Sequence, residues 1–177
     1  MIKLRVIGIS LLLWLSSVKV NAQLTPWWEQ EQVDSVAIRE AALADSIVNF
    51  AKTFIGTPYV WGGNNPEGGF DCSGFICYVY KAFQIELPRT SGQQFDAGHP
   101  VAHVEAKPGD IILFSGPSDA PGDPGHVGIV LSYDDTNGFT FIHSSSPESG
   151  GVRISSESSE SYYKQHFLEV RRVIQLD

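Results

Sequence analysis

The sequence of 177 residues contains few cysteines and few charged residues, and each shortage excludes a class of protein. Its 2 cysteines are too few for a disulfide-built scaffold or a closed zinc site. The 12 basic residues against 20 acidic ones give a net charge of −8, which disfavours a nucleic-acid-binding surface. With 42% hydrophobic and only 18% charged residues, the chain is not a disordered one. One compact acidic domain remains.

The N-terminus carries a short apolar run with the layout of an export signal. Lys3 and Arg5 precede the apolar residues 6–15, and small residues follow up to Ala22. This order is typical of a secretory signal peptide cleaved near Ala22. The run of about ten residues is shorter than the ~20 that span a bilayer, so we expect no stable membrane anchor. We predict an exported protein, either periplasmic or extracellular.

The apolar residues that follow recur at helical spacing. Between Val33 and Ile55 they fall at steps of three and four, which predicts an amphipathic helix ended by Gly56 and Pro58, and the segment TPWW (25–28) predicts its entry. No internal repeat or linker divides the rest of the chain. We therefore predict a signal peptide, an N-terminal lead-in with the start of the first helix, and one domain: 1–22, 23–44 and 45–177.

The remaining sequence changes from helical to strand patterns. A glycine-rich loop leads into a predicted buried helix at 71–83, capped by Asp71 or a neighbour, and a short helix is predicted at 90–97. Five strands with turn residues between them follow, which indicates an α+β fold with an antiparallel sheet. The predicted strands are 110–114, 126–133, 139–143, 152–155 and 167–174.

Cys72 is the candidate nucleophile because it stands where the glycine-rich loop enters a helix. Unpaired N–H groups and the positive end of the helix dipole favour a thiolate there and could stabilise an oxyanion. A disulfide to Cys77 is the alternative in an exported protein. Five residues of one helix rise ~7.5 Å, which is too far for a disulfide, so we expect both thiols to be free.

His126 and His143 are the candidate base and orienting residue, because they lie on two neighbouring predicted strands. A four-residue loop that pairs Tyr133 with Gly138 would join these strands. This register places Gly128 opposite His143. His126 would then lie on the same face and diagonal to His143, within side-chain reach. A slip of one residue would separate the two histidines.

The other three histidines indicate no metal centre. His99 and His103 are four residues apart, but an intervening proline disfavours a helical metal-binding pair. His166 is expected at the surface. We predict neither a metal nor a cofactor.

Five segments of this sequence, in this order, resemble the NlpC family of bacterial cell-wall cysteine peptidases. The resemblance covers roughly residues 45–174 and implies a reduced papain-like fold. In that fold, N-terminal helices pack on a central antiparallel sheet and the nucleophilic cysteine lies at a helix N-terminus. The segments are PYVWGG (58–63), FDCSGF (70–75), LPRTS (87–91), KPGDI (107–111) and GHVGI (125–129).

The resemblance implies hydrolysis of peptidoglycan stem peptides or muropeptides, typically at the bond from γ-D-glutamate to diaminopimelate or lysine. It implies the same roles as the residues do, with Cys72 as nucleophile, His126 as base and His143 as orienting residue. The loop Ser115–Gly125 and the hairpin before His143 are longer than is usual in the family, and both border the expected site.

Three further residues are expected at the substrate by the same resemblance. Tyr59 would line the site near the nucleophile, and Asp71 and Ser73 would contact the substrate. Asp71 suits a free N-terminal amine, although a plain helix cap explains it equally well. Trp27 and Trp28 in the lead-in are expected to pack on the domain or to shield one end of the groove.

Other functions remain open at this stage. An amidase or acyltransferase could use the same three residues, since all would share the thioester intermediate. A catalytically silent wall-peptide-binding module is an alternative from another class. Cys72, His126 and His143 could also be ligands of a zinc hydrolase with an open position. The sequence gives no oligomeric state.

Overall fold

A computed structural model of the protein describes residues 27–116, 122–146 and 150–176. The predicted signal peptide (1–22), the side chains of Trp27 and Trp28, and residues 117–121 of the loop before β5 lie outside this set. The helices are α1 (Trp27–Lys52), α2 (Cys72–Lys81), α3 (Ser91–Gln94), a 3₁₀ helix (His103–Glu105) and α4 (Ser161–His166). The strands are β1 (Asn64–Asn65), β2 (Gly69–Phe70), β3 (His99–Val101), β4 (Ile111–Ser115), β5 (Pro124–Asp134), β6 (Gly138–Ser144), β7 (Val152–Ser156) and β8 (Phe167–Arg172).

The described strands form one six-stranded antiparallel sheet in the order β3-β8-β4-β5-β6-β7, and β1 and β2 form a small separate ribbon. The predicted α+β class is confirmed. Residues of β4 alternate between two apolar clusters because successive side chains of a strand point to opposite faces. Ile111 and Leu113 lie with α1 and α2 in the first cluster, and Ile112 and Phe114 lie in the second. The sheet is therefore buried on both faces in its centre.

Helix α1 begins at Trp27, within the helix entry predicted at 25–28 and ahead of the apolar periodicity that starts at Val33. Of its described side chains, the buried ones begin at Ala44 and recur three, four and seven residues later, and the half-buried Leu43 packs against the same cluster. Ile38, one turn and a half earlier, is 70% exposed. The division between lead-in and domain at residues 44 and 45 falls inside this continuous helix and stays a prediction.

The elements that sequence patterns missed are short or polar. β1, β2, β3 and the 3₁₀ helix have two or three residues each, too few for a period to show. α4 lies next to a serine-rich run that favours loops. Within the described residues, no helix is both long and apolar enough to span a membrane.

The hairpin between β5 and β6 corrects the predicted loop. Asp134 pairs with Gly138, so the loop has three residues and not four. The Asp134 carboxylate accepts hydrogen bonds from the backbone N–H groups of Thr136 at 3.0 Å and Asn137 at 2.7 Å, which tightens the turn. Gly138, at φ 71°, closes it in a backbone conformation that favours glycine.

A β-bulge then restores the register on which the histidine prediction depends. The pairing shifts by one between Val130 and Ser132, after which Ile129 pairs with Ile142. Gly128 consequently lies opposite His143, where a Cβ at 128 would be 3.3 Å from the Cβ of His143. The predicted placement is confirmed, although through a shorter loop and a compensating bulge.

Candidate active site

The start of α2 presents Cys72 at the first helical residue, after an aspartate cap. Asp71 has extended backbone angles, φ −85° and ψ 176°, and its Oδ1 accepts the N–H of Gly74 at 2.6 Å. The predicted cap is confirmed. The glycine-rich loop passes close to this first turn at Gly74, which has no side chain. A Cβ there would lie 2.1 Å from the carbonyl oxygen of Gly63.

Arg89 joins the Asp71 cap to the neighbouring loop in a bidentate ion pair. Its two terminal nitrogens lie 3.0 Å from Oδ1 and 2.7 Å from Oδ2 of Asp71, and Nη1 also donates to Ser73 Oγ at 3.0 Å. The second Asp71 oxygen also accepts the N–H of Gly62 at 3.0 Å. Sequence reasoning assigned no role to Arg89, although its place in the LPRTS segment was an available signal.

The carboxylate of Asp71 is therefore engaged by the protein itself. Both of its oxygens accept backbone N–H groups and one guanidinium. The bonds to backbone N–H groups account for the cap role. Of the two paired charges, Arg89 is the more accessible to solvent, since its side chain is 41% exposed and that of Asp71 is 12% exposed. The substrate contacts predicted for Asp71 and Ser73 remain predictions.

The two histidines meet on adjacent strands. His126 of β5 and His143 of β6 are joined by a 2.7 Å hydrogen bond between His126 Nε2 and His143 Nδ1. The other ring nitrogen of His143, Nε2, lies 2.9 Å from Ser155 Oγ of β7. His143 is fully buried and His126 is half-buried. The bond leaves Nδ1 of His126 as the nitrogen available to a substrate or a thiol.

One groove contains both the cysteine and the accessible histidine. Its volume is about 900 Å³, and Cys72 and His126 both line it. Cys72 belongs to the helix-side cluster, whereas the histidine rings contact Phe114, Phe141 and Tyr163 of the other cluster. The groove thus lies where the two layers meet. Further lining residues are Tyr59, Trp61, Asp71, Ser73, Arg89, Thr90, Ser91, Gly125, Ser145, Ser146, Glu160, Tyr162 and Tyr163.

Cys72 is held as a thiol in the resting site. Burial raises its pKa to about 11, the adjacent Asp71 carboxylate adds to the rise, and backbone N–H groups of Ser73, Val127 and Cys72 itself oppose it. The prediction that the helix start favours a thiolate is wrong for this state. The dipole acts in the expected direction, but desolvation and the acidic cap outweigh it.

The histidines are neutral at pH 7. Burial lowers the pKa of His126 to about 4. Burial, the neighbouring His126 and Arg153 together hold the pKa of His143 well below its usual value. The resting pair is therefore a thiol and a neutral imidazole, and one ring nitrogen of that imidazole carries a lone pair.

Tyr59 lies on the groove wall, as predicted. Its backbone bridges to Phe70 just before the cap. Burial raises the pKa of the Tyr59 phenol, an ionised Cys72 or Asp71 would raise it further, and Arg89 acts in the opposite direction. The phenol thus keeps its proton and can act as a hydrogen-bond donor in the groove.

The remaining thiol and histidines lie away from the groove lining. Cys77 is free, as is Cys72, which confirms the predicted absence of a disulfide, and its Sγ lies 3.2 Å from the carbonyl oxygen of Pro88. His99 of β3 bonds to Gln175, and His103 packs edge-on against Phe167 at 4.5 Å. The sequence predicts His166 at the surface, but it is half-buried and its ring stacks on that of Tyr162 at 3.9 Å.

The zinc alternative finds no support in this arrangement. The two imidazoles of His126 and His143 point their nitrogens at each other instead of converging with Cys72 on one point. In the described parts of the chain, no three histidine, cysteine or acidic side chains are grouped so that they could hold a metal ion.

Comparison with known proteins agrees with this geometry. The family model described as "NlpC/P60 family" matches residues 56–172, which include Cys72, His126 and His143. This chain belongs to the NlpC/P60 family. The crystal structure of an NLP/P60 family protein from Staphylococcus aureus matches 75% of this chain and 42% of its own chain, with a TM-score of 0.64 and 34% identity. The predicted papain-like fold is confirmed.

Two curated relatives carry different activity names. The gamma-DL-glutamyl hydrolase of Bacillus subtilis is 35% identical over 155 residues, which are 86% of this chain and 35% of the relative. The murein DD-endopeptidase MepH of Escherichia coli is 38% identical over 124 residues, 68% of this chain and 42% of the relative. This chain thus spans less than half the length of either relative.

Proposed function

We propose that this protein is an exported cysteine endopeptidase that hydrolyses peptidoglycan stem peptides. The observation that carries the proposal is the shared groove of Cys72 and His126, with His126 held by His143 at 2.7 Å. A nucleophile, a base and a residue that orients the base are the set that acyl transfer requires. Membership of the NlpC/P60 family, whose relatives above are named as a glutamyl hydrolase and a murein endopeptidase, supports the wall peptide as substrate.

The first chemical step is attack of sulfur on the scissile carbonyl carbon. As the C–S bond forms, the proton of Cys72 moves to Nδ1 of His126, because Nε2 of that ring is bonded to His143. The resting thiol requires this transfer to accompany attack. Backbone N–H groups of Cys72, Ser73 and Val127 surround the sulfur, and donors of this kind can stabilise the oxyanion formed beside it.

The second step releases the amine and then the acid. The imidazolium of His126 gives its proton to the leaving nitrogen as the C–N bond breaks, which leaves a thioester on Cys72. Water attacks the thioester carbon as His126 accepts its proton, and the C–S bond then breaks as that proton returns to sulfur, which releases the acid and restores the thiol. His143 is a neighbour that stabilises and orients the transient imidazolium.

We propose the bond from γ-D-glutamate to diaminopimelate or lysine as the one cleaved. A γ-linked glutamate keeps a free α-carboxylate near the scissile bond, and the half-exposed guanidinium of Arg89 lines the groove next to Asp71 and Ser73. Glu160 lines the groove as well, with its carboxylate paired to Arg153 at 2.8 Å. In this proposal Tyr59, Asp71 and Ser73 form the substrate-facing wall near the nucleophile.

A DD-endopeptidase is the second candidate for the bond, since the Escherichia coli relative of similar identity carries that name. A D-alanyl donor has no γ-linkage and leaves no free α-carboxylate beside the scissile carbonyl. The two candidates therefore differ in the group that Arg89 would meet.

Export is proposed on the composition of residues 1–22, with cleavage near Ala22. A wall substrate requires that location, so the two proposals support each other. The N-terminal residue of the protein recovered from a bacterial host, determined by mass spectrometry, tests it. A chain that begins at Met1 would contradict cleavage.

Product analysis tests the reaction and its bond. The protein is incubated with intact peptidoglycan, purified muropeptides and free stem tripeptide, beside Cys72→Ala, and products are identified by mass spectrometry. We expect cleavage after γ-D-glutamate that is lost in Cys72→Ala. Cys77→Ala is the matched control because it removes the other thiol and should keep activity.

Other outcomes have distinct meanings. Cleavage between D-alanine and the cross-linking residue would replace the γ-D-glutamyl bond by the DD bond. Release of a different acyl group would identify an amidase or acyltransferase. Turnover that survives in Cys72→Ala would remove the mechanism, and no product from any substrate would favour a binding module.

A further inference from the structure

A buried hydrogen-bonded chain continues beyond the histidine pair. It runs from His126 Nε2 to His143 Nδ1 at 2.7 Å, and from His143 Nε2 to Ser155 Oγ at 2.9 Å. His143 is 0% exposed and Ser155 is 3% exposed, so water does not compete at these two positions. The pairing of β6 with β7, in which Phe141 opposes Ser155, sets the serine beside the imidazole.

The proton positions along this chain determine whether His126 can act as a base. A neutral imidazole carries one proton, on either Nδ1 or Nε2. His126 accepts the proton of Cys72 only when its Nδ1 has a lone pair, and its own proton must then be on Nε2. That N–H donates to Nδ1 of His143, so the proton of His143 must be on Nε2, where the acceptor is Ser155 Oγ.

The reverse direction would disable the base. If the Ser155 hydroxyl donated to His143 Nε2, the proton of His143 would be on Nδ1 and would point at His126 Nε2. The proton of His126 would then be on Nδ1, the atom that must receive the proton of Cys72. Both directions satisfy the same two distances, so the residue at the end of the chain selects between them.

The neighbouring Tyr163 phenol is the candidate acceptor for the Ser155 hydroxyl. Its ring packs against His143 at 5.3 Å and an angle of 87°, and only 6% of the residue is exposed. Burial raises the pKa of the Tyr163 phenol, and hydrogen bonds from the side chains of Ser145 and Ser155 act against that rise. A Ser155 hydroxyl that gives its proton to the Tyr163 oxygen has only lone pairs to offer to His143.

We propose that Ser155 is a positioning residue that accepts the Nε2–H of His143, with Tyr163 receiving the serine proton, and thereby holds His126 in the tautomer that can deprotonate Cys72. The proposal deepens the function given above and rests on it. Neither residue touches the substrate's reacting atoms in this role.

The experiment combines two measurements that do not require a wall substrate with one that does. Nitrogen-15 NMR of the histidine rings near pH 7 reports the tautomers of His126 and His143 directly. The rate at which iodoacetamide alkylates Cys72 reports whether His126 assists loss of the thiol proton. Turnover of the muropeptide identified above gives kcat and KM.

The variants are Ser155→Ala, Ser155→Thr and Tyr163→Phe, with Ser156→Ala as matched control. Ser156 is the next residue of β7, and its hydroxyl bonds to Ser158 and Ser159 instead of the histidines. We expect the Nε2–H tautomer of His126 in the wild type and a mixture in Ser155→Ala. In Ser155→Ala we expect alkylation and kcat to fall roughly 10- to 100-fold, by analogy with the loss of a partner that orients a metal-bound histidine. KM should change little.

The remaining variants test whether the hydroxyl of Ser155 and the phenol of Tyr163 cause the effect. Ser155→Thr keeps a hydroxyl and should recover most of the rate, Tyr163→Phe should give an intermediate loss, and Ser156→Ala should resemble the wild type. An Nδ1–H tautomer of His126 in the wild type would overturn the proposal, as would an unchanged tautomer and rate in Ser155→Ala. If Ser155→Ala does not fold, the wild-type spectrum and Tyr163→Phe decide.

Failure of the proposed function is distinguishable from failure of this inference. Wild-type protein that cleaves no wall peptide, yet shows the expected tautomer and the expected alkylation rates, would remove the substrate and keep the role of Ser155. Turnover that is lost in Cys72→Ala but unaffected in Ser155→Ala would do the reverse.

Discussion

At the scale of single residues, the ionisation of Cys72 departs most from a simple expectation. A cysteine at a helix N-terminus normally has a lowered pKa. Here burial and the Asp71 cap raise the pKa of Cys72 to about 11, and the pKa of His126 is lowered to about 4. The site therefore rests as a neutral pair instead of an ion pair. Catalysis then depends on which ring nitrogen of His126 carries its proton.

This neutral pair predicts a broad pH profile for kcat/KM. Below about pH 4 the imidazole of His126 is protonated and cannot accept the thiol proton. Above about pH 11 the thiol of Cys72 is ionised, and no proton is delivered to the leaving amine. We expect a bell with limbs near these two values, measured with a muropeptide and corrected for unfolding at each pH.

A narrow bell between two pKa values less than about four units apart would contradict the neutral resting pair, and would indicate a thiolate–imidazolium pair. Alkylation of Cys72 by iodoacetamide across the same pH range serves as the control, because it follows the thiol without the substrate.

At the scale of elements, the entry of α2 depends on one glycine. Gly74 lies in the first turn, where its N–H donates a hydrogen bond to the Asp71 carboxylate. Its lack of a side chain leaves room for the carbonyl group of Gly63. The crossing of loop and helix brings Gly62 onto Asp71 as well. Since this crossing positions Cys72, stability and activity are coupled here.

Gly74→Ala should destabilise the protein by about 3 kcal/mol, the upper part of the range for overpacking, because the new Cβ would meet a backbone oxygen at 2.1 Å. Gly92→Ala in α3 is the matched control, since a Cβ there has no neighbour within 4 Å. We expect that variant to be as stable as the wild type, or more stable by about 0.5 kcal/mol. Urea unfolding measures both, and equal losses would contradict the close approach.

At the scale of the whole molecule, two buried neutral histidines connect stability to pH. The folded pKa of His126 is lowered to about 4 and that of His143 is also lowered, whereas an unfolded histidine titrates near 6.5. The unfolded chain therefore binds more protons between pH 4 and pH 6.5. This contribution to stability is complete above pH 6.5 and is lost as the pH falls through the folded pKa values.

We expect the urea midpoint of the wild type to fall between pH 6.5 and pH 4, and to fall less in His143→Asn, which removes one of the two buried imidazoles. The comparison between the two proteins separates the histidines from carboxylates that titrate in the same range. Parallel curves for wild type and variant would show that His143 takes up no extra proton on unfolding.

Local sequence was sufficient for the main elements and for the nucleophile. The cap at Asp71, the helix that follows it, and the five strands predicted from alternating patterns are present, with ends displaced by at most two residues. These features depend on contacts within a few residues, so the chain itself carries the signal. The five motif segments added the fold and the family through their resemblance to the NlpC family, and the family match over residues 56–172 confirms it.

What only the tertiary structure decided involves groups that are far apart in sequence. The ion pair of Arg89 with Asp71 joins residues 18 apart in sequence. The hydrogen bond from His143 to Ser155 joins the neighbouring strands β6 and β7. The shorter hairpin and the bulge between Val130 and Ser132 cancel, which no local pattern encodes. The pKa of Cys72 depends on burial by the assembled layers, so the dipole argument from sequence gave the wrong sign. A sequence specifies which groups are present, whereas desolvation and long-range hydrogen bonds exist only once the chain has packed.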